Sequence, residues 1–371
     1  MAEKSGGGTT DASSEEIQTL RAPFEAWLAS RWPEAKALEV LPLESPKSGF
    51  SAKTLFAPVR FRRDGNPVEA RVVLRIENPE PAIYPVQAPG LDVEIAIQYR
   101  VMQGLDAAGG IPLAPLIGYE TDPGVLGSPF FAMGHVAGDV ATENPPYTQA
   151  GFFTESSPET RRAIIEDGLR VLADVHRVDW RAAGFTWLVP PGVTPGLETQ
   201  LDLWESYGRR ELRDRTHPVF EAGVHWLRAN LPTGLENCFS WGDSRLGNMI
   251  FSGERCVCIM DFENASIAPA EVDLGWWLMF DRTQHEVVSA ERLPGEPTRD
   301  EQREYYARCA GRDFGDTHYY EVFAAFRYAA IVVRVMNRWV DRGLLPPDQK
   351  LWLANPASQC LADLLGIEAP W

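Results

Sequence analysis

Ser240-Trp241-Gly242-Asp243-Ser244-Arg245-Leu246-Gly247-Asn248-Met249-Ile250-Phe251 runs on as Ser252-Gly253-Glu254-Arg255-Cys256-Val257-Cys258-Ile259-Met260-Asp261-Phe262-Glu263. Residues 249–251 and 256–260 are two short apolar runs, and Ser252-Gly253-Glu254-Arg255 between them has turn chemistry. The pattern predicts a β-hairpin. A hairpin sets the residue entering its first strand beside the residue leaving its second. Asn248 and Asp261 are those residues, so their side-chain oxygens should converge at the open end. Asp243 lies five residues before Asn248, on the loop that feeds the hairpin. Three oxygen-bearing side chains are thus expected at one edge.

Hard oxygen donors suit Mg2+, which keeps several waters and takes one or two carboxylates plus substrate phosphates. Phosphoryl transfer uses such a site, with a carboxylate that orients or receives the proton of the attacking hydroxyl. Asp-x4-Asn, a hairpin and a second Asp follow the spacing of protein-kinase-type catalytic sites. Asp-x4-Asn by itself is a common loop pattern. The hairpin, Asp261 and the later Asp273 set this occurrence apart.

Together these residues resemble the aminoglycoside phosphotransferase family, small-molecule phosphotransferases of kinase fold. That family's His-Gly-Asp-x4-Asn and Asp-x-Asp/Glu stand here as Trp241-Gly242-Asp243, Asn248 and Asp261-Phe262-Glu263. Its Gly-Asp-Pro-x-x-Asp-Leu-Ala run is matched by Ala268-Pro269-Ala270-Glu271-Val272-Asp273-Leu274-Gly275, with Ala-Pro-Ala in place of Gly-Asp-Pro. The resemblance implies that Asp243 is the catalytic base, that Asn248 and Asp261 hold magnesium, and that Asp273 is a buried anchor. Trp241 stands where the family has His. A buried indole there should brace the loop through packing and its one N–H.

The N-terminal third supports the same resemblance. Gly49-Phe50-Ser51-Ala52-Lys53-Thr54 lies between expected strands, where a kinase has its phosphate-covering loop, which places Ser51 and Lys53 near nucleotide phosphates. Lys53 reads equally well as a solvated loop residue. Arg75 is on a strand where kinases carry a phosphate-binding Lys. The branch similar to acyl-CoA dehydrogenase-linked kinase domains often has Arg there, and a guanidinium can bridge phosphate oxygens bidentately. Glu94, on a helix expected over residues 91–105, is its expected ion-pair partner. Residues 122–133 resemble the family's approach to the hinge, so the backbone from Met133 through His135 to Val136 is expected against the nucleotide base. The resemblance spans roughly residues 46–285.

The chain has 371 residues, 44% of them hydrophobic and 23% charged, enough for two cores in a soluble protein. A net charge of -17 argues against non-specific nucleic-acid binding, since phosphates would be repelled. The five cysteines are scattered. Cys256 and Cys258 would share a strand face, but no second pair completes a zinc site, and reduced cytosolic thiols are the plainer reading. No segment has the length and apolarity of a membrane span. Residues 1–14, rich in Gly, Ser and Thr, read as a disordered tail without the apolar core of a signal peptide.

Strands are expected at residues 38–41, 54–61, 68–76, 116–120 and 130–136. Helices are expected at 15–31, from Ser157-Pro158 onward, and at 199–229, 269–281, 298–311, 316–342 and 356–365. This describes an α+β, protein-kinase-like bilobal fold. Residues 15–136 should form a smaller lobe, a five-stranded antiparallel sheet with a packed helix. Residues 137–371 should form a larger, mainly helical lobe. The expected protein is a cytoplasmic kinase that uses Mg2+ with ATP or GTP and a hydroxyl of a small-molecule metabolite, hydroxyacyl-CoA or antibiotic as acceptor, without nucleic-acid or membrane partners; its oligomeric state is open. A nucleotide-binding pseudokinase is the alternative, motivated by Trp241. An unrelated metal-dependent hydrolase is a weaker one.

Overall fold

The helix expected over residues 15–31 forms in two pieces, α1 (Ser14–Thr19) and α2 (Arg21–Arg31). Pro23 explains the later restart, because proline is tolerated in a helix's first turn and not in its interior. The structure is a computed structural model that describes residues 14–45, 53–87, 90 and 93–371. The expected tail before Ser14 and the expected phosphate-covering turn with Ser51 lie outside the described residues.

Two compact units emerge. The first comprises the described residues up to 82, with Val93–Tyr99 and Ala114–His135. The second comprises the described residues of 83–92, with Arg100–Leu113 and Val136–Trp371. In the first, β1 (Lys36–Val40), β2 (Lys53–Arg63) and β3 (Asn66–Ile76) follow one another. Asp64 and Gly65 join β2 to β3 with φ values of 52° and 80°. Two successive positive φ values match the right-handed twist of a hairpin, and Asp-Gly supplies them at low cost. α3 (Glu94–Ala108) gives its residues through Tyr99 to this unit. β4 (Leu116–Glu120), the short α4 (Pro123–Leu126) and β5 (Phe130–Gly134) complete it. The antiparallel order is β1-β2-β3-β5-β4. Alternation on β2 and β3 turns Leu55, Ala57, Val59, Val72 and Leu74 inward, where Phe24 and Leu28 of α2 join the same core. Trp27 packs edge-on against Phe130, with ring centroids 4.9 Å apart.

The second unit contains β6 (Asp139–Val140), α5 (Phe152–Glu155) and α6 (Pro158–His176), which Ser157 caps by accepting from the Thr160 amide. The single helix expected over 199–229 is instead α7 (Leu197–Leu212) and α8 (Pro218–Ala229). Pro218 cannot continue α7, and His217 caps the new start by accepting from the Phe220 amide. β7 (Asn237–Ser240), β8 (Met249–Ser252), β9 (Arg255–Ile259) and β10 (Ser266–Pro269) follow. β8 and β9 are the hairpin read from the sequence, with β6 added on the β8 edge. β7 pairs with β10, a two-stranded sheet the sequence reading lacked. α9 (Ala270–His285), α10 (Arg299–Ala310), α11 (His318–Asp341) and α12 (Pro356–Leu365) close the unit.

α11 runs through the core of this unit, with Phe326 stacked on Phe220 at 4.5 Å. Where it meets α9, a Cβ on Gly275 would come within 2.5 Å of Tyr320, so glycine sets how closely the two helices approach. Among the described residues, no helix is long and apolar enough to cross a membrane.

Candidate active site

The loop between β7 and β8 is held from beneath by Asp273, in the first turn of α9. Its carboxylate is fully buried. Oδ1 accepts from Ser240 Oγ at 3.0 Å and from the Gly242 amide at 2.9 Å. Oδ2 accepts from the Trp241 amide at 2.7 Å and faces His176 Nε2 at 3.0 Å. The Asp273 carbonyl accepts from Ser244 Oγ at 2.8 Å. Burial opposes the charge, but the His176 contact, the Gly242 amide and Arg327 outweigh it and hold the carboxyl below its usual pKa. The helix N-terminus favours the same sign of charge. His176 is thus one side of this anchor, with Nδ1 facing the Tyr306 hydroxyl at 2.5 Å.

Gly242 has a φ of 87°, and a Cβ there would lie 2.1 Å from the Asn264 carbonyl oxygen. No other residue fits this turn. Its own carbonyl accepts from Asn264 Nδ2 at 3.1 Å and from an Arg327 terminal nitrogen at 2.9 Å. Arg327 is itself buried against the rings of Trp204 and Trp276.

This support presents Asp243. Oδ1 accepts from Arg245 Nε at 2.7 Å and from Trp276 Nε1 at 2.8 Å. Oδ2 accepts from Asn248 Nδ2 at 2.8 Å, from an Arg245 terminal nitrogen at 3.2 Å and from the Tyr84 hydroxyl at 3.2 Å. Burial pushes the carboxyl up to about 6, with Asp261 adding to it and the Trp276, Asn248 and Tyr84 bonds working the other way. Arg245 also pairs with Glu143 and lies over the Phe280 ring.

Asn248 and Asp261 flank the open end of the β8–β9 hairpin. The Met260 amide donates to the Asn248 carbonyl at 3.0 Å, which makes Asp261 the next residue out. Asp261 takes a φ of 60°, a left-handed conformation that Asp tolerates better than most residues. Trp241 is completely buried, and its Nε1 donates to the carbonyls of Met260 at 2.9 Å and Asp261 at 3.2 Å. The indole therefore ties the loop to the end of the hairpin.

In the first unit, Lys53 opens β2 opposite Ile76, and Arg75 lies between Thr54 and Phe131 in the sheet register. The Arg75 guanidinium donates to Thr54 Oγ1 at 3.0 Å and to Gln98 Oε1 at 3.4 Å. Gln98 sits one turn along α3 from Glu94, which is buried. The Glu77 carboxylate accepts from the amides of Glu94 and Ile95, a helix cap the sequence reading missed. Met133 is paired within β5. The backbone after it was expected to face a nucleotide base, but the Gly134 and His135 amides are already committed to the carbonyls of Pro115 and Arg71.

The sequence reading also missed Tyr84, Asn264 and Arg327 around the loop. None has a spacing that connects it to Asp243. Trp276 is both part of the core and a donor to Asp243.

The sequence model of the phosphotransferase enzyme family matches residues 58–317. Among curated proteins, the chain is 25% identical over 272 residues to the probable acyl-CoA dehydrogenase IBR3 of Arabidopsis thaliana, covering 66% of this chain and 31% of that one. It is 26% identical over 259 residues to acyl-CoA dehydrogenase family member 11 of Homo sapiens, covering 67% and 32%. The matched region spans about a third of these relatives' length. Among solved structures, a Ralstonia eutropha JMP134 protein described as an aminoglycoside phosphotransferase superposes with a TM-score of 0.69 at 25% identity, over 93% of this chain and 98% of that one. Aminoglycoside phosphotransferase APH(2'')-Ib with ADP bound superposes with a TM-score of 0.53 at 12% identity, over 94% and 97%. The fold is that of these kinase-like phosphotransferases.

Asp273→Ala would strip four buried donors of their acceptor. The expected loss is about 3–5 kcal/mol of stability, as for breaking a buried charged network. Thermal or denaturant unfolding measures it, and a near-native midpoint would remove Asp273 from its anchoring role.

Proposed function

The chain belongs to the phosphotransferase enzyme family, and from that premise we propose that it transfers the terminal phosphoryl group of ATP or GTP to a hydroxyl of a small molecule. Asp243 is the base in this reading. The observation that carries it is geometric: the loop presents a buried carboxylate that Arg245, Trp276 and Asn248 orient, and burial raises it to about 6. Asn248 and Asp261 are the proposed metal ligands. Their amide and carboxylate oxygens are the hard donors that Mg2+ takes, and the Asp261 charge is close enough to raise Asp243. Asn248 and Asp261 would hold the ion, whose positive charge would offset that of the phosphates. Arg75 is the proposed phosphate contact. The ADP complex of APH(2'')-Ib supports a nucleotide donor.

For this chain's own residues, the reaction reduces to positioning and one proton. Asp273 and Gly242 fix the loop, Arg245 and Trp276 orient the Asp243 carboxylate, and Oδ2 receives the acceptor's proton as the acceptor oxygen bonds to the terminal phosphorus and the bridging P–O bond breaks, releasing ADP or GDP. Trp241 braces the loop against the hairpin, which favours a competent enzyme over the pseudokinase alternative.

The acceptor reading favours a hydroxyl on an apolar chain, of which a hydroxyacyl thioester is the example. Two observations support it. The curated relatives are acyl-CoA dehydrogenase family proteins. A cavity of ≈ 290 Å³ within the second unit is walled by Leu188, Val193, Leu203 and Ile267 beside the polar Gln87, Thr199 and Gln200, with Asp202 its one carboxylate among the described residues. A polycationic amino sugar would call for several carboxylates. Formation of ADP or GDP over a panel of hydroxyacyl-CoA thioesters, hydroxy acids and amino sugars decides the question; turnover of amino sugars alone would overturn the apolar assignment.

With a confirmed acceptor, Asp243→Asn should lower turnover by about 10²–10⁴-fold while nucleotide still binds; near-native turnover would remove it as base. Asp261→Ala should weaken nucleotide binding much more with magnesium than without it. Calorimetry under both conditions reads this, and an equal loss in each excludes a metal role. Arg75→Ala should raise the nucleotide KM, with Arg75→Lys restoring only part, because an ammonium does not reproduce a bidentate guanidinium. Wild-type kinetics in Arg75→Ala would leave Arg75 as a structural strand residue.

A further inference from the structure

The Asp243 carboxylate has one donor unlike the rest. Arg245, Asn248 and Trp276 offer N–H groups, whereas Tyr84 offers a hydroxyl, 3.2 Å from Oδ2. A base that takes a proton from an acceptor alcohol must first accept that alcohol's hydrogen bond, at about 2.6–3.2 Å. The Tyr84 O–H already makes a bond of that kind and length. Burial, with the Asp243 and Glu263 charges, raises the phenol pKa well above its usual value, so the group stays a neutral donor.

Tyr84 is carried by residues 83–87, a strap with no helix or strand of its own. The strap is pinned at both ends within the second unit. The Tyr207 hydroxyl donates to the Ile83 carbonyl. At the far end Gln87 donates to Asn264 Oδ1 at 3.2 Å and accepts from Gln200 Nε2 at 3.0 Å. Asn264 in turn holds the Gly242 carbonyl. Ile83, Pro85 and Gln87 are buried, while Tyr84 between them stays partly exposed. The strap is fixed by its neighbours, and Tyr84 is its side chain that touches Asp243.

We propose that Tyr84 holds the acceptor hydroxyl's place on Asp243 while no acceptor is bound, and gives it up when the acceptor arrives. This rests on the kinase reading above. Its consequence is protection of the nucleotide. Water in that place would pass a proton to Asp243 Oδ2 as its oxygen bonded to the terminal phosphorus, the bridging P–O bond broke, and ADP and inorganic phosphate left. With the phenol there, water has no base.

Tyr84→Phe keeps the ring in the strap and removes one oxygen, leaving a polar gap that a water bonded to Asp243 can fill. The test measures ADP release from Mg-ATP without acceptor by the wild type, Tyr84→Phe and the double variant Tyr84→Phe/Asp243→Asn, with calorimetry of ATP binding and intact mass on the same samples. The expected result is hydrolysis several-fold faster in Tyr84→Phe than in the wild type, with the gain abolished in the double variant. A merely structural Tyr84 would leave hydrolysis unchanged or lower it, and either result overturns the proposal. So does a phosphoryl group found on wild-type Tyr84, which would make the phenol an acceptor. The kinase reading is judged separately: equal hydrolysis in proteins that bind ATP and phosphorylate a member of the acceptor panel ends only the Tyr84 proposal, while failure of the wild type to bind nucleotide ends both.

Discussion

A single buried carboxylate, Asp273, organises the second unit. An unpaired charge without solvent is costly, so the groups around it must converge as donors. Two backbone amides, a serine hydroxyl and His176 do so. Both amides belong to the loop that carries Asp243, so satisfying Asp273 fixes the loop's path. Glycine is then required at 242, because the same path brings the backbone against Asn264. The Trp241 side chain ties the loop's other side to the carbonyls at the hairpin end. Histidine is thus not required at 241. An indole N–H reaching two carbonyls is enough to brace the loop.

Asp243 shows a different balance. Its carboxylate is as buried as that of Asp273 and is also well supplied with donors, yet its pKa moves up while that of Asp273 moves down. For Asp243 burial dominates, with Asp261 adding to it, despite the Arg245 contact; for Asp273 the His176 contact, the Gly242 amide and Arg327 outweigh burial. Asp273 is therefore favoured as an anion, whereas burial raises the proton affinity of Asp243.

Legibility varied with the range of the interaction. The β8–β9 hairpin, the Asp64-Gly65 turn and the starts of α6 and α12 at Ser157-Pro158 and Asn355-Pro356 were readable, because turns and caps are settled among residues a few positions apart. The break between α7 and α8 was equally local, and Pro218 marked it, but the apolar periodicity on either side concealed it. Pairing of β7 with β10 was not readable. Each is a short run that becomes a strand only beside the other.

The sequence alone determined the identity and order of the chemical groups: an Asp on a loop, an Asn entering a hairpin, an Asp leaving it, and another Asp opening a helix. Their spacing along the chain was sufficient evidence, because each relation is made within a single turn or strand pair. Only the tertiary structure decided what surrounds them. Tyr84 reaches Asp243 across 159 residues, Trp276 across 33, and His176 reaches Asp273 across 97. No local pattern encodes such contacts. They arise because buried polar groups must find partners once the core closes, and which partners are within reach is set by how the helices and strands pack.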